Sequence, residues 1–345
     1  MSLTAPQEPQ EPQEPTRPSF ADFLSAVRAD ALARGIRQEI VDAALANIDE
    51  PLPVVIERDR AQAETVFSLE KYIARILKPK LIGDGRDRLA AHKPLLDEIG
   101  HAYGVDPRII VAIWGMETHY GGFTGTRPIV AALATLAWDA RRATLFRGEL
   151  FNALEILNRD DIDLPHLKGS WAGAMGQVQF MPSSYLEFAE DYDGDGRRDI
   201  WSTPADIFAS IANYLLGHGW ITGESWGREV RVSAASAKQI TNSIARRTGG
   251  CVATRDMTVA LPAKRWSELG VRAAGGGALP STMPASSLVS GTTRHFLVSR
   301  NYDALLEYNC SRSYALSVGL LADRLGGVAK PPKPLPKASP RKTGK

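Results

Sequence analysis

The sequence predicts a mainly α-helical (α+β) protein that carries one small β insertion. Helical patterns of apolar residues follow one another through most of residues 19–228. Short alternating segments, which are typical of half-buried strands, begin near residue 228, and helical patterns return from Tyr302 onwards. This order favours a helical body with a β region inserted near its end.

The composition is that of a soluble globular protein. Of the 345 residues, 44% are apolar and 23% are charged, as is usual for this class. A chain of this length can bury one large core or two to three smaller ones. The net charge of +2 is too small to indicate a nucleic-acid partner, and no apolar run is long enough to predict a membrane span. No secretion signal is visible after Met1, so a processed exported chain and a cytoplasmic protein both fit the composition.

The two ends of the chain differ from the rest. Residues 1–18 contain Gln-Glu-Pro three times, and proline at every third position predicts an extended linker that acts as a tether. Residues 329–345 are rich in proline and lysine and contain no acid, so we expect a disordered basic tail.

Residues 19–100 are predicted to form a helical accessory domain. Ser19 is a candidate cap for its first helix. The amphipathic pattern over residues 86–100 contains Pro94, which predicts either a kink or a division into two helices.

Residues 101–228 are predicted to form the core, organised around one helix. Pro107 suits the first turn of this helix, and Asp106 suits its N-cap. Apolar residues from Ile109 onwards fall on every face, so we expect the helix to be buried.

Glu117 is the one acid in this apolar helix. Ile113 and Trp114 precede it by four and three residues, which makes both of them its neighbours on a helix. Poor hydration favours the neutral carboxyl group and raises its pKa, and an acid that is protonated near neutral pH can protonate a leaving group. The alternative is a core glutamate that is satisfied by a hydrogen bond.

Two further features of the predicted core suit a ligand. Arg141 and Arg142 are adjacent and suit anionic groups, although such pairs are commonly salt-bridged surface residues. Residues 169–184 combine small residues and aromatic rings with Gln177 and Gln179, a mixture that suits the polar edge and apolar face of a sugar. A tightly packed loop of small residues is the alternative for this segment.

An acidic loop that begins at Asp191 matches the first half of a calcium-binding loop. Acids occupy positions one, three and five, and glycine occupies position six. Position twelve is Ser202 in place of the usual glutamate, which predicts weakened or differently completed coordination, and Asp206 could close the site if the loop is longer than standard. The predicted ligands are Asp191, Asp193, Asp195, Arg197 through its carbonyl oxygen, and Asp206. The alternatives are an acidic turn without metal and, for Asp206, a place in the first turn of the next helix.

Residues 229–290 are predicted to form a small β domain, and residues 291–328 to return to the core. The predicted strands are residues 228–232, 257–261 and 295–298. Residues 286–291 are instead predicted to be rich in turns.

The cysteines of the chain are Cys251 and Cys310, and their spacing matches no metal motif. Two buried thiols and one disulfide both fit the sequence. A disulfide needs an oxidising compartment and suitable geometry, neither of which the spacing can establish.

Seven motifs occur together in an order that is more specific than any one of them. They are Gly115-Met116-Glu117-Thr118, Arg141-Arg142, Lys168–Gly176, Gln179–Tyr185, the loop at Asp191, Ala212-Asn213-Tyr214, and Tyr302 with Tyr308-Asn309. Through these motifs, residues 19–327 resemble the membrane-bound lytic murein transglycosylase B family. The resemblance implies a lysozyme-like helical core, a helical N-terminal domain and a small β insertion.

The resemblance also implies cleavage of the MurNAc-β-1,4-GlcNAc bond of peptidoglycan without water, which leaves 1,6-anhydromuramic acid ends. It implies that Glu117 acts first as an acid on the glycosidic oxygen and then as a base on the muramyl C6 hydroxyl. It further implies that Ser170 orients Glu117 through a hydrogen bond. The residues implied to line the glycan subsites are Arg141, Arg142, Gln179, Phe180, Tyr214, Tyr308, Asn309, Tyr314 and Tyr72.

Further expectations concern cofactors, partners and location. The implied chemistry needs no cofactor, and Ca²⁺ is expected only as a structural ion. Peptidoglycan strands are the expected partner, with other cell-wall enzymes left open, and we expect a periplasmic monomer, with membrane association left open. Two other functions stay compatible with the sequence: a water-using muramidase and a non-catalytic peptidoglycan-binding protein.

Overall fold

The computed structural model describes residues 17–61 and 67–326. The predicted basic tail and all but the last two residues of the predicted linker lie outside the described residues. Helices dominate the described ranges and strands are few, which confirms the mainly helical (α+β) class. No helix in these ranges has both the length and the apolar character that crossing a membrane requires.

Six α-helices within residues 17–61 and 67–106 precede the central one. They are α1 (Phe20–Ala33), α2 (Gln38–Leu45), α3 (Pro53–Ala61), α4 (Leu69–Ile76), α5 (Pro79–Ala91) and α6 (Lys93–Tyr103). Ser19 caps α1, because its hydroxyl accepts a hydrogen bond from the N–H of Asp22. Helix α5 ends and α6 begins at His92, so Pro94 lies in the first turn of a new helix, where its missing N–H costs nothing.

The central helix α7 spans Pro107–Thr118, and its residues from Ile109 to Gly115 are all buried. The helices that follow it are α8 (Ile129–Trp138), α9 (Ala143–Asn158), α10 (Pro182–Phe188) and α11 (Pro204–Gly217). Two short strands, β1 (Arg127–Pro128) and β2 (Lys168–Gly169), pair in an antiparallel manner. This pairing places residues 169–184 beside the loop that follows α7.

A four-stranded antiparallel sheet with the order β4-β3-β6-β5 forms the β region. Its strands are β3 (Gly227–Arg231), β4 (Arg272–Ala273), β5 (Ser287–Ser290) and β6 (His295–Val298). Together with α12 (Ala234–Ser243) and α13 (Ala263–Glu268), the sheet encloses a second, smaller core around Trp266. The strands predicted near residues 228–232 and at 295–298 are therefore confirmed.

Two local predictions in the β region are wrong. Residues 257–261 form no regular strand: Thr258 and Leu261 make isolated bridges to Arg246 and Ser286, which lie in different segments, so no ladder can continue. Residues 286–291 are not a turn, because they contain β5, whose Leu288 and Val289 are buried. The serines around this strand gave it the composition of a loop.

The last two helices, α14 (Arg300–Tyr308) and α15 (Arg312–Leu325), return to the helical body. Helix α15 is buried over most of its length and packs against α7, α5 and α4. Cys251 and Cys310 form a disulfide, which resolves the alternative that the sequence left open. This disulfide joins the β region to the turn between α14 and α15.

A second link joins the β region to α4. The hairpin between β5 and β6 donates the N–H groups of Thr293 and Arg294 to Oε1 of Glu70, at 2.8 and 3.2 Å. These backbone hydrogen bonds, led by that of Thr293, hold the pKa of Glu70 below its usual value. Helix α4 also carries Tyr72, so the hairpin fixes the helix that presents this side chain.

Candidate active site

Glu117 lies in the last turn of α7. The helix ends at His119, whose φ of 51° is left-handed, and Tyr120 and Gly121 continue in this region with φ of 61° and 80°. Thr118 Oγ1 accepts the N–H of Gly121 at 3.0 Å, which closes this tight turn. Glu117 therefore sits at a helix C-terminus, where the negative end of the dipole disfavours a charged carboxylate.

The side chain of Glu117 is poorly hydrated. Burial raises its pKa from 4.5 to about 7, and the hydroxyl of Tyr314, which donates to Oε1 at 2.5 Å, opposes this rise. Tyr72 and Tyr308 also lie close enough for Glu117 to raise their pKa values, second to the effect of their own burial. The glutamate is thus surrounded by tyrosines from α4, α14 and α15.

Two residues that the sequence analysis placed beside Glu117 have hydrogen bonds of their own. Nε1 of Trp114, which precedes Glu117 by three residues on α7, donates to Oε1 of Gln177 at 2.7 Å. The implied hydrogen bond from Ser170 to Glu117 is not found among the described residues. Oγ of Ser170 instead accepts the N–H of Ala174 at 3.0 Å, which braces its own loop. The hydrogen bond that Glu117 receives in this structure comes from Tyr314 instead.

Three of the residues implied to line the glycan subsites form one aromatic cluster. The ring of Phe180 lies 5.3 Å from that of Tyr214 and 5.9 Å from that of Tyr308. Phe180 is only 1% exposed, so it supports these two tyrosines and offers no face to a ligand in this structure. The tyrosine hydroxyls are fixed by backbone carbonyls: Tyr214 donates to Glu307 at 2.8 Å and Tyr308 to Val178 at 2.7 Å.

The polar residues implied to line the cleft occupy two segments. Gln179 is half-buried, with a left-handed φ of 52°, and its Nε2 donates to the carbonyls of Thr124 and Gly176 at 3.1 and 2.9 Å. Asn309 is exposed directly after α14, one residue from Tyr308. Both therefore adjoin the aromatic cluster.

Arg141 and Arg142 share one partner, Asp59 of α3, with which both form ion pairs. Burial works to raise the pKa of Asp59, but the hydrogen bonds from the two arginines outweigh it and hold the pKa below its usual value. The salt-bridged alternative for this pair is thus present, while a role toward glycan stays a prediction. Sequence reasoning missed Asp59, although it follows the buried Val55 by four residues and so continues the buried stripe of α3.

The acidic loop brings three of its predicted ligands together. One carboxylate oxygen from each of Asp191, Asp193 and Asp206 lies within 4.8 Å of the others. Oδ1 of Asp191 is buried and has no hydrogen-bond partner among the described residues. An unpaired buried carboxylate oxygen is costly unless a cation or proton meets it. This donor set therefore fits Ca²⁺, which prefers carboxylate oxygens.

Asp206 completes this group from the first turn of α11. It is 1% exposed, and burial raises its pKa to about 6 although the N–H groups of Tyr192 and Asp199 each donate to it at 2.8 Å. Asp195 and Arg197 contribute no side chain to the group: Oδ1 of Asp195 accepts the N–H of Arg197 at 2.8 Å. Asp206 is thus placed where it could close the site, as the longer loop predicts, and Asp195 and Arg197 stay predicted ligands.

The fold and the glutamate site together identify the class of protein. A family model described as the transglycosylase SLT domain matches residues 19–323. The chain therefore belongs to this family, and the resemblance seen in the sequence is confirmed. Membrane-bound lytic murein transglycosylase B of Escherichia coli (strain K12) is 43% identical over 156 residues, which are 45% of this chain and 43% of that protein. The match thus spans less than half of that relative.

Solved structures match over nearly the whole chain. SltB3 from Pseudomonas aeruginosa in complex with NAG-anhNAM-pentapeptide is 40% identical, covers 90% of this chain and 80% of its own, and has a TM-score of 0.80. The Escherichia coli lytic transglycosylase Slt35 in complex with calcium is 28% identical, covers 90% of this chain and 93% of its own, and has a TM-score of 0.72. These matches confirm the lysozyme-like helical fold class.

Proposed function

We propose that this chain is a lytic transglycosylase that cleaves the MurNAc-β-1,4-GlcNAc bond of peptidoglycan without water, with Glu117 as acid and then base. One observation carries the proposal: Glu117 is a poorly hydrated carboxyl group with a pKa of about 7, held by a tyrosine hydroxyl. The structure of SltB3 contains NAG-anhNAM-pentapeptide, which carries an anhydro ring. This ligand supports the same chemistry for the present chain, which is related to SltB3.

One side chain, Glu117, makes both proton transfers of this mechanism. With a pKa of about 7, a large share of Glu117 is protonated at neutral pH and can donate to the glycosidic oxygen as the bond to C1 breaks. The carboxylate that results accepts the hydroxyl of Tyr314. It then removes the proton of the muramyl C6 hydroxyl, whose oxygen bonds to C1. Glu117 ends protonated, and no water is consumed.

A single working carboxylate suits this route better than hydrolysis. Inverting and retaining hydrolases use two carboxylates that flank the scissile bond. Glu117 raises the pKa values of Tyr72, Tyr308 and Tyr314, so the titratable groups found beside it are tyrosines. A nucleophile on the substrate itself replaces the second carboxylate, and its proximity supplies much of the rate.

Digestion of purified sacculi tests the proposal. We expect muropeptides with 1,6-anhydromuramic acid ends. Each such end lacks the water molecule that hydrolysis adds, so its mass is about 18 Da lower than that of the hydrolysed counterpart. Muropeptides with reducing muramic acid ends would support a water-using muramidase instead. Binding to sacculi without release of any soluble fragment would support a non-catalytic glycan-binding protein.

The substitution Tyr314→Phe tests the partner of Glu117. It removes a hydrogen bond to a charged group, worth about 1.5–3 kcal/mol, so we expect kcat to fall by about 10- to 100-fold. In the parent, the hydroxyl of Tyr314 stabilises the carboxylate of Glu117. Its removal therefore raises the pKa of Glu117 and moves the alkaline limb of the kcat–pH profile to higher pH. A Tyr314→Phe profile that superimposes on that of the parent contradicts this role.

We propose that Asp191, Asp193 and Asp206 hold a structural Ca²⁺. Calcium bound to the folded loop stabilises the protein by about 2.7 kcal/mol at 100 times its Kd, so we expect Tm to rise by several degrees. Asp191→Asn is expected to lose most of this shift. Asp87→Asn, which makes the same change at an exposed position of α5, is expected to keep it. Equal calcium shifts in both variants would argue against the site.

We further propose that the protein works in the periplasm on glycan strands. The Cys251–Cys310 disulfide supports an oxidising compartment, because cytoplasmic thiols are kept reduced. The ligands seen in the SltB3 complexes are fragments of such strands.

A further inference from the structure

Gln177 connects its own loop to α7 and to the end of the acidic loop through four hydrogen bonds. Toward α7, its Oε1 accepts Nε1 of Trp114 at 2.7 Å and its carbonyl oxygen accepts Oγ1 of Thr118 at 3.0 Å. Toward the end of the acidic loop, its Nε2 donates to the carbonyl of Trp201 at 2.7 Å and its N–H to that of Ile200 at 2.8 Å. Thr118 is the residue after Glu117, so one of these bonds fixes the turn that carries the glutamate.

These contacts need an amide at position 177. The indole N–H of Trp114 can only donate, and the carbonyl of Trp201 can only accept. A primary amide offers one acceptor and one donor at the same distance along the side chain, whereas a carboxylate would point an acceptor at the Trp201 carbonyl. Glutamine therefore satisfies both partners, and neither glutamate nor an apolar residue of the same length does.

The packing around this amide leaves little freedom. A Cβ at Gly121, whose φ is 80°, would lie 2.3 Å from Oε1 of Gln177. A Cβ at Gly176, whose φ is 64°, would lie 2.7 Å from the carbonyl oxygen of Ile200. Both glycines let the backbone close around the side chain, so a movement of Gln177 must displace the turn after Glu117.

The hydrogen bonds continue from Gln177 into the acidic loop. The N–H of Trp201 donates to Oδ1 of Asp199 at 2.8 Å, and the N–H of Asp199 donates to Oδ2 of Asp206 at 2.8 Å. Asp206 is one of the three carboxylates proposed to hold calcium. An unbroken series of contacts thus runs from these carboxylates to the residue beside Glu117.

We propose that Gln177 is a positioning residue that holds the last turn of α7, and with it Glu117, against the end of the acidic loop, so that the state of this loop affects catalysis. The inference rests on the proposed function. It adds a residue that touches neither the implied glycan subsites nor the proposed ligands, and it gives the acidic loop an influence on the chemistry.

The substitution Gln177→Met tests this role, because it preserves length and removes both amide contacts. A displacement of about 1 Å at a catalytic group can lower a rate about 100-fold, so we expect kcat on sacculi to fall at least about tenfold with KM changed far less. We also expect the pKa of Glu117, followed by ¹³C NMR of labelled glutamate, to move toward 4.5 as water reaches the loosened turn. Gln239→Met, the same change at an exposed position of α12, should alter neither quantity.

A double-mutant cycle tests the link to the loop. If Gln177 carries the influence of the loop, Asp191→Asn lowers kcat by itself, its loss and that of Gln177→Met are not additive, and the double variant resembles the poorer single variant. Additive losses would overturn this link. An unchanged kcat and an unchanged Glu117 titration in Gln177→Met would overturn the positioning role.

These outcomes are distinct from failure of the proposed function. If the parent protein does not cleave sacculi, the proposed function fails, while the Glu117 titration still decides whether Gln177 positions this residue. If the parent cleaves and Gln177→Met cleaves equally well, only the present inference fails. Folding is followed separately by Tm, and kcat is expressed per folded molecule.

Discussion

Glu117→Gln is expected to lose nearly all release of soluble muropeptides while the fold is retained. The amide cannot donate an acidic proton or accept one, and general acid–base catalysis contributes about 10²- to 10⁴-fold for each proton transfer. Because Glu117 is proposed to serve in both transfers, we expect cleavage of sacculi to fall by about 10³-fold or more. Mass analysis of the soluble fraction over a long digestion measures this residual rate.

The stability of the same variant provides an independent check. The pKa of Glu117 is raised in the folded state, from 4.5 to about 7, so its contribution to stability is fully present below pH 4.5 and is lost as pH rises through about 7. Glutamine has no charge to bury. The free energy of unfolding of Glu117→Gln, minus that of the parent, should therefore be larger above pH 7 than at pH 4.5. Glu57→Gln, which makes the same change at an exposed position of α3, is the control for the loss of a surface carboxylate. Full lysis by Glu117→Gln would refute the assignment of Glu117 as the acid.

Removal of the disulfide is expected to have the largest effect on stability. Cys251 and Cys310 are separated by 59 residues, and closing a loop of this length stabilises a fold by about 4 kcal/mol in the chain-entropy account. For a chain of this size we expect the Cys251→Ser, Cys310→Ser double variant to lose on the order of 10 °C in Tm. Thermal unfolding followed by circular dichroism measures this loss.

Reductant supplies the matched control for this loss. Dithiothreitol should lower the Tm of the parent toward that of the double variant and should leave the double variant unchanged. A double variant that unfolds at the Tm of the oxidised parent would show that the crosslink contributes nothing to stability. A Tm of the double variant that still responds to dithiothreitol would point to an effect other than the disulfide.

Local sequence predicted the parts of the site that depend on neighbours along one element. The apolar run from Ile109 to Gly115 gave the burial of α7, and the position of Glu117 in it gave the direction of the pKa shift. Helical spacing pointed to Trp114, whereas the contact that holds the carboxylate comes from Tyr314, 197 residues further along the chain. Periodicity carries no information about such a distant partner.

The same limit explains what the sequence missed elsewhere. Arg141 was expected to be free for a ligand or paired on the surface, and its partner Asp59, 82 residues away, could not be identified from spacing. In the β region, Thr258 lies in a segment with strand composition but makes an isolated bridge to Arg246, because a ladder depends on which segments the fold brings side by side. The acidic loop was predicted more fully, because most of its ligands are close in sequence.

The contact between Glu70 and the β5–β6 hairpin bears on any attempt to shorten this protein. A minimal fragment trimmed to the helical body would lose the hairpin N–H groups that tie down α4. Tyr72 would then depend on the packing of one short helix for its place beside the glutamate. Weak activity in such a fragment would follow from displacement of Tyr72. It would therefore not show whether the removed sheet contacts the glycan strand.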